Sequence, residues 1–160
     1  MGASLNRGKS KQDYQTPPNF LLAVQNLLGI KEFTVDLAAS DENTVAARYF
    51  TEQHSALGEA DWITLDGWGW LNPPFGDIKP WVAKAAREAY KGNRIAMLVP
   101  AAVGSNWWAE FVGGTADVFL LNGRIQFVGA QWPYPKDCAL LLYHPAATGG
   151  YRTWRWKDAL

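Results

Sequence analysis

A short apolar run that ends in a double-proline turn is the most informative stretch of the sequence: Trp68-Gly69-Trp70-Leu71-Asn72-Pro73-Pro74-Phe75. The apolar residues predict a buried strand. Pro73 removes a backbone N–H and restricts the residue before it to extended geometry, so the strand should end at Asn72. Pro73 and Pro74 together fix the turn, and an aromatic ring, Phe75, follows it directly.

This turn suits chemistry at a planar amino group. An exocyclic amine on a heteroaromatic ring donates its lone pair into that ring, so it attacks an electrophile only when its hydrogens are held. The side-chain oxygen of Asn72 and a backbone carbonyl could hold them, and a base could stack on Phe75 with about 1–3 kcal/mol of stabilisation. A Pro-Pro turn that only ends a strand and exposes an aromatic would look the same.

Composition limits the classes of protein that the chain can represent. Its 160 residues predict one domain. Lys plus Arg and Asp plus Glu number 15 each, so contact with nucleic acid has to come from local patches. Cys138 is the only cysteine and His54 and His144 are the only histidines, so we expect no disulfide and no metal site. No apolar run is long enough to cross a bilayer, and we expect a cytoplasmic protein with no membrane partner.

Helical and extended patterns alternate along the chain, which favours an α/β fold. Residues 1–13 are interpreted as a flexible basic arm, 14–148 as a single catalytic domain and 149–160 as a C-terminal strand or tail. The strand-rich end predicts an antiparallel hairpin at one edge of a mostly parallel central sheet. The predicted helices are 16–28, 41–48, 80–90 and 105–112, and the predicted strands are 33–37, 49–51, 68–72, 94–100, 116–121, 124–128 and 139–143.

Ligands of open α/β sheets bind beyond the carboxyl ends of the strands. Asp36 comes near the end of the first predicted strand, Asp61 precedes the strand that ends at Asn72, and small residues follow Asp36. Such residues would let a cofactor approach the backbone. Asp36 alone could equally be a helix cap, and the glycine-rich loop usual for nucleotide cofactors is absent.

Seven segments in a fixed order carry a resemblance to the compact phage-type DNA N6-adenine methyltransferases. They are Tyr14 to Pro18, Val35 to Ser40 with Asn43, Tyr49 to Thr51, Asp61-Trp62, Asn72 to Phe75 with Pro80 to Val82, Leu98 to Ala101, and Gly123 to Phe127. The resemblance implies a Rossmann-like class I core and the cofactor S-adenosyl-L-methionine. It also implies methyl transfer to N6 of a flipped adenine in DNA, in a bacterial or phage-infected cell and in a setting such as restriction-modification.

The resemblance also implies roles for individual residues. Thr16 and Pro17 would lie against the methionine end of the cofactor. Asp36 and the backbone of Ala38, Ala39 and Ser40 would bind the same region, and Asp61 would accept a hydrogen bond from the cofactor adenine. Asn72 and the carbonyl of Pro73 would hold the target amino group. Position 38 departs from related enzymes outside this group, because they carry glycine there.

Two other functions stay open at this point. The same tetrapeptide suits a methyltransferase for another planar amine, such as a glutamine side chain or an RNA guanine. A non-catalytic nucleic-acid-binding module could also have kept the fold.

The chain leaves no room for a separate recognition domain, so loops are the candidates for contact with DNA. The loop 129–137 interleaves aromatic and cationic residues, and 76–79 adjoins the double-proline turn. A rigid hairpin tip would look similar. The tail 151–157 could pair as an edge strand, bind DNA or form a subunit contact, which leaves a homo-oligomer open. The candidate DNA-binding residues are Lys79, Arg124, Trp132, Tyr134 and Lys136.

Overall fold

The computed structural model describes residues 14–160, so the predicted basic arm, 1–13, lies outside the described residues. The elements are α1 (Pro18–Leu28), β1 (Val35–Asp36), β2 (Gly69–Leu71), α2 (Lys79–Tyr90), β3 (Ile95–Pro100), α3 (Asn106–Phe111), β4 (Asp117–Leu121), β5 (Cys138–Tyr143) and β6 (Tyr151–Trp154). Short 3-10 turns occupy Ala56–Gly58 and Trp156–Ala159. No helix between residues 14 and 160 has the length and apolar character needed to cross a membrane.

The six strands form one sheet in the order β1-β2-β3-β5-β4-β6. Five strands run in the same direction and β5 alone is reversed. The prediction of a mostly parallel α/β sheet is therefore confirmed. The predicted antiparallel pair of late strands is present as β4 and β5, but its predicted position at the edge is wrong, because β5 lies between β3 and β4 and β6 pairs with the other side of β4. Every residue of β5 is buried, and a strand that is apolar on both faces belongs in the interior.

Helices cover both faces of the sheet. Strand β3 shows this alternation directly: Met97 and Val99 join the core beneath α2 and α3, whereas Ala96 and Leu98 join the core beneath α1. Burial on both sides explains why β3 is apolar at each position. The two helical layers leave the carboxyl edge of the sheet uncovered by helices.

Two predicted elements next to β1 are absent. Residues 41–48 form bends instead of the predicted helix. The backbone N–H of Val45 donates to the carboxylate of Asp36 (3.0 Å), and Tyr49 forms a single parallel bridge with Asp36. These contacts hold the segment extended beside β1, so the predicted strand 49–51 is reduced to that one bridge.

The predicted strand 124–128 is also absent. Its alternation describes burial correctly, since Ile125 and Phe127 are buried between exposed neighbours. The backbone makes isolated bonds in place of a ladder: Val128 donates to the carbonyl of Gln15 (3.0 Å), and Tyr134 donates to that of Ile125 (2.7 Å). The alternation of apolar and polar residues over 124–128 therefore indicated correctly which side chains are buried. It did not indicate whether the segment pairs as a strand.

Two charged residues of α2 are buried. The ammonium group of Lys84 donates to the carbonyls of Ala56 and Glu59, and the carboxylate of Glu88 accepts from the backbone N–H of Trp62. Both side chains thus satisfy backbone groups of the loop 56–62. This loop is fixed to α2, and its first three residues form the 3-10 turn Ala56–Gly58.

The C-terminal segment is part of the folded unit. Strand β6 pairs with β4 along the edge of the sheet. Trp156 is buried, its indole N–H donates to the carbonyl of Gly123 (2.9 Å), and its ring meets that of Phe20 edge-on with centroids 5.2 Å apart. The tail therefore closes the core beneath α1.

Replacing Trp156 by alanine should lower the free energy of unfolding by about 3–5 kcal/mol, the usual cost of removing a buried aromatic side chain. The neighbouring Arg155→Ala removes an exposed side chain and should change it by no more than about 0.5 kcal/mol. Urea unfolding of both variants measures the difference. Equal midpoints would contradict the role given to Trp156.

Candidate active site

A cavity of about 500 Å³ lies beyond the carboxyl ends of β1 and β2. Three separate parts of the chain meet there: the residues that lead into α1, the loop after Asp36, and the turn after β2. Parallel strands bring these segments together because their carboxyl ends share one edge of the sheet.

Asn72 lies in the wall of this cavity at the end of β2. Its side-chain nitrogen donates to the carbonyl oxygen of Tyr14 (2.6 Å) and to the hydroxyl oxygen of Thr16 (3.0 Å). Its side-chain oxygen is buried and has no hydrogen-bond partner among the described residues. Both amide hydrogens are therefore used within the protein, and only the acceptor of Asn72 is free.

Asp36 brings a buried carboxylate to the same cavity. It accepts hydrogen bonds from the backbone N–H groups of Ala38 (3.2 Å) and Val45 (3.0 Å). Burial raises the pKa of Asp36 to about 6, against the effect of these two bonds. Within residues 14–160, no lysine, arginine or histidine lies within ion-pair distance of it. A buried carboxylate without a cationic partner suits a positively charged ligand.

The cavity contains most of the residues predicted to bind the cofactor: Thr16, Asp36, Ala38, Ala39 and Ser40. The side chain of Thr16 bonds Asn72, and the N-cap of α1 is Pro17. Pro17 does not line the cavity, whereas Pro18 does. In the wall of the cavity, Pro18 therefore occupies the place that was predicted for Pro17.

Asp61, which was predicted to contact the cofactor adenine, does not line the cavity. Its carboxylate is half exposed and forms an ion pair with Lys91 (2.7 Å). The physical reason is the anchoring of the loop 56–62 to α2, which places Asp61 beside the end of that helix. Glu52 and Ser55 line the cavity instead. They lie in a segment without hydrophobic periodicity, so no sequence signal indicated them.

Phe75 lies in an aromatic cluster with Tyr14, Phe127 and Tyr134. The ring of Phe75 meets the other three at steep angles, with centroids 5.4 to 5.9 Å apart. Tyr14 stacks on Phe127 at 4.9 Å. The ring of Phe75 is therefore partly enclosed by neighbouring aromatic side chains, and Pro73, which precedes the cluster, is buried.

Phe75 lines a second depression, of about 400 Å³. Tyr134 and Lys136 of one predicted DNA-binding loop line it together with Ile78, which adjoins the exposed Lys79. The structure thus brings the loops 76–79 and 129–137 to one surface.

Of the other two predicted DNA-binding residues, Arg124 contacts a residue of this depression and Trp132 does not line it. Arg124 forms an exposed ion pair with Asp137 (3.4 Å), which lines the depression. Trp132 does not line it and is 72% exposed. In the part of the chain that the structure describes, no three His, Cys, Asp or Glu side chains form a group that could hold a metal ion.

Comparison with known proteins identifies a family and two relatives that the chain resembles. Residues 4–139 match the family described as DNA N-6-adenine-methyltransferase (Dam). The DNA N-6-adenine-methyltransferase of Escherichia phage T1 is 28% identical over 112 residues, which cover 70% of this chain and 45% of that protein. The protein of the same name from Haemophilus phage HP1 is 25% identical over 152 residues, which cover 91% of this chain and 86% of that protein.

The chain thus spans less than half the length of the T1 protein and most of the HP1 protein. The resemblance stated from the sequence motifs is confirmed. Since the family match covers most of its length, the chain belongs to the DNA N-6-adenine-methyltransferase (Dam) family.

Proposed function

We propose that the protein transfers the methyl group of S-adenosylmethionine to the exocyclic N6 of adenine in DNA. Membership of the family and the names of both phage relatives support the base, the position and the polymer. The reaction belongs in the cytoplasm of a bacterial or phage-infected cell, where these substrates occur together.

The free acceptor of Asn72 is the observation that carries this proposal. A buried acceptor without a partner costs about 1–3 kcal/mol. An amino group of the substrate can donate to it, whereas a carbonyl or a ring nitrogen without hydrogen cannot. Asn72 therefore favours an amine, as transfer to N6 requires.

Each residue of the site acts through position or charge. S-adenosylmethionine, when bound, supplies an electrophilic methyl group on a positively charged sulfur. Asp36 would hold the positively charged part of this cofactor in the cavity beside Ala38 and Ser40. Asn72 is neutral, so it orients the amine without removing a proton before transfer. Such alignment of two reactants supplies about 7–11 kcal/mol in favourable cases.

The Rossmann-like class I core remains part of the proposal. It is supported by the parallel order of β1, β2 and β3, by helices on both faces, and by a cavity at the carboxyl ends of the strands. Residues 14–148 would then form the catalytic domain, with β6 completing its sheet.

The surface formed by the loops 76–79 and 129–137 is proposed as the DNA-binding face. An adenine inside a duplex cannot reach Asn72, so it has to be flipped at a cost of a few kcal/mol. Stacking on Phe75 would offset much of this cost. Because neighbouring rings partly enclose Phe75, Tyr14 or Tyr134 has to move when a base stacks there.

The activity itself is tested with radiolabelled S-adenosylmethionine and unmodified DNA, followed by identification of the modified base. Parallel reactions with RNA and with protein distinguish the other planar amines. N6-methyladenine in DNA is the expected product. Label only in RNA guanine or in glutamine would overturn the proposal, as would cofactor binding without turnover on any substrate.

Asn72→Ala should remain folded, and its activity is measured at saturating S-adenosylmethionine, because the alanine removes the amide bonds to the segment 14–16 as well as the acceptor for the substrate. Methyl transfer should fall about ten- to a hundredfold or more, as expected when a hydrogen bond that strengthens in the transition state is removed. Asn19→Ala changes an exposed asparagine of α1 and should retain activity. Turnover near wild type in Asn72→Ala would exclude the proposed role.

Asp36→Ala should raise the dissociation constant for S-adenosylmethionine about ten- to a hundredfold, through loss of a charge-assisted contact. Since the pKa of Asp36 is about 6 in the cofactor-free protein, wild-type affinity should strengthen as the pH rises from 5 to 7 and then level off. Below that pKa the carboxyl is neutral and attracts a cation less.

Asp61→Ala is the matched control for this measurement, because Asp61 is an exposed carboxylate outside the cavity. Calorimetry should show wild-type affinity and the same pH dependence in this variant. Equal effects of the two substitutions would remove Asp36 from the cofactor site.

Lys136→Ala should reduce the slope of log affinity for DNA against log salt concentration by about 0.9, the contribution of one phosphate contact to duplex DNA. Trp132→Ala should weaken binding by about 1–3 kcal/mol without changing that slope. Tyr90→Ala is the control, since Tyr90 is an exposed aromatic at the opposite end of α2, about 17 Å along the helix from Lys79. DNA binding that responds equally to all three would contradict the proposed face.

A further inference from the structure

We infer that Thr16 and the carbonyl of Tyr14 are positioning groups that fix the orientation of the Asn72 amide. By doing so they make asparagine, and not aspartate, the residue that this chain requires at position 72. The inference rests on the proposed methyl transfer but concerns a contact that exists in the cofactor-free protein.

The orientation follows from the chemistry of the two acceptors. The Asn72 nitrogen lies 2.6 Å from the carbonyl oxygen of Tyr14 and 3.0 Å from the hydroxyl oxygen of Thr16. A backbone carbonyl can only accept, so the opposite amide orientation would bring two acceptor oxygens together. The Tyr14 carbonyl therefore determines which end of the amide carries the hydrogens.

The positioning groups are themselves held by the rest of the fold. Thr16 is buried directly before α1. The carbonyl of Gln15 accepts from the backbone N–H of Val128 (3.0 Å), and the ring of Tyr14 stacks on Phe127. The segment 14–16 is thus fixed between α1 and the loop after β4. Asn72 is oriented by a part of the chain that lies more than fifty residues away in the sequence.

An aspartate at position 72 could not make the same contacts. An ionised carboxylate has no hydrogen to donate, so one of its oxygens would face the carbonyl of Tyr14 at hydrogen-bond distance. Repulsion would turn the side chain or displace the segment 14–16, and the acceptor for the substrate amine would move with it. The hydroxyl of Thr16 could still donate to a carboxylate, so Tyr14 is the group that discriminates.

The test uses the full chain and the variants Thr16→Val, Thr16→Ser and Asn72→Asp. Thr153→Val is the matched control, since Thr153 is an exposed threonine of β6. Circular dichroism establishes folding, and Thr16→Ala replaces Thr16→Val if the valine variant does not fold. The readouts are kcat and KM for DNA, the affinity for S-adenosylhomocysteine, and the NMR signals of the Asn72 side-chain amide without cofactor, assigned by their loss in Asn72→Ala.

Because Thr16 also lines the cofactor cavity, kcat is measured at saturating S-adenosylmethionine. Thr16→Val should then lower kcat about two- to tenfold, the effect of one neutral hydrogen bond, with KM for DNA near wild type. Its Asn72 amide signals should shift and exchange faster with water. Thr16→Ser should restore both properties. Asn72→Asp should lose more activity than Thr16→Val, because a carboxylate cannot donate to the carbonyl of Tyr14.

Wild-type kcat together with unchanged Asn72 amide signals in Thr16→Val would overturn the inference, and so would near wild-type activity in Asn72→Asp. A Thr16→Ser variant as impaired as Thr16→Val would show that the hydroxyl is not the relevant group. If the wild-type chain methylates no substrate, the proposed function fails. The amide signals of the cofactor-free protein would still decide whether Thr16 orients Asn72.

Discussion

The hydrogen bonds from the Asn72 amide to the segment 14–16 are the contact on which the rest of the site depends. They join the end of β2 to the residues that lead into α1, two parts of the chain that are distant in sequence. The same segment bonds the loop after β4 through Gln15 and packs on Phe127. The segment 14–16 consequently connects the cavity wall, the double-proline turn and the aromatic cluster. A displacement of any one of them would displace the others.

Two polar groups of the cavity are in unfavourable surroundings, at a place where a bound ligand can interact with them. Asp36 is buried with only backbone N–H groups as partners, and the acceptor of Asn72 has none in the described part of the chain. Both features are unfavourable in the ligand-free protein. A cationic cofactor and an amine substrate would compensate for them separately. In the proposed mechanism, these unsatisfied polar groups contribute to the selection of ligands. The same groups lower the free energy of unfolding of the ligand-free protein.

Sequence predicted the local features of the fold better than the long-range ones. Helix α1 and strand β3 were predicted nearly to their bounds, because hydrophobic period, proline and glycine act over a few residues. The segments 41–48 and 124–128 were predicted wrongly, since backbone bonds to Asp36, Gln15 and Tyr134 replace the regular ones there. The interior position of β5 and the ion pair of Asp61 likewise depend on contacts between distant residues. Thr16 was predicted as a site residue, but its bond to Asn72 could not be inferred from spacing.

Strand β6 has a consequence for the behaviour of the protein in solution. It covers the outer edge of β4, a strand whose side chains are largely apolar. Without β6, the unpaired N–H and C=O groups of β4 would form an open edge that a second molecule could extend, the usual starting point of aggregation. Strand β6 is short and exposed, it carries Arg152, and Arg155 follows it directly. Its own outer edge is therefore poorly suited to pairing with a further strand. These few residues therefore protect this edge of the sheet, and β1 forms the opposite edge.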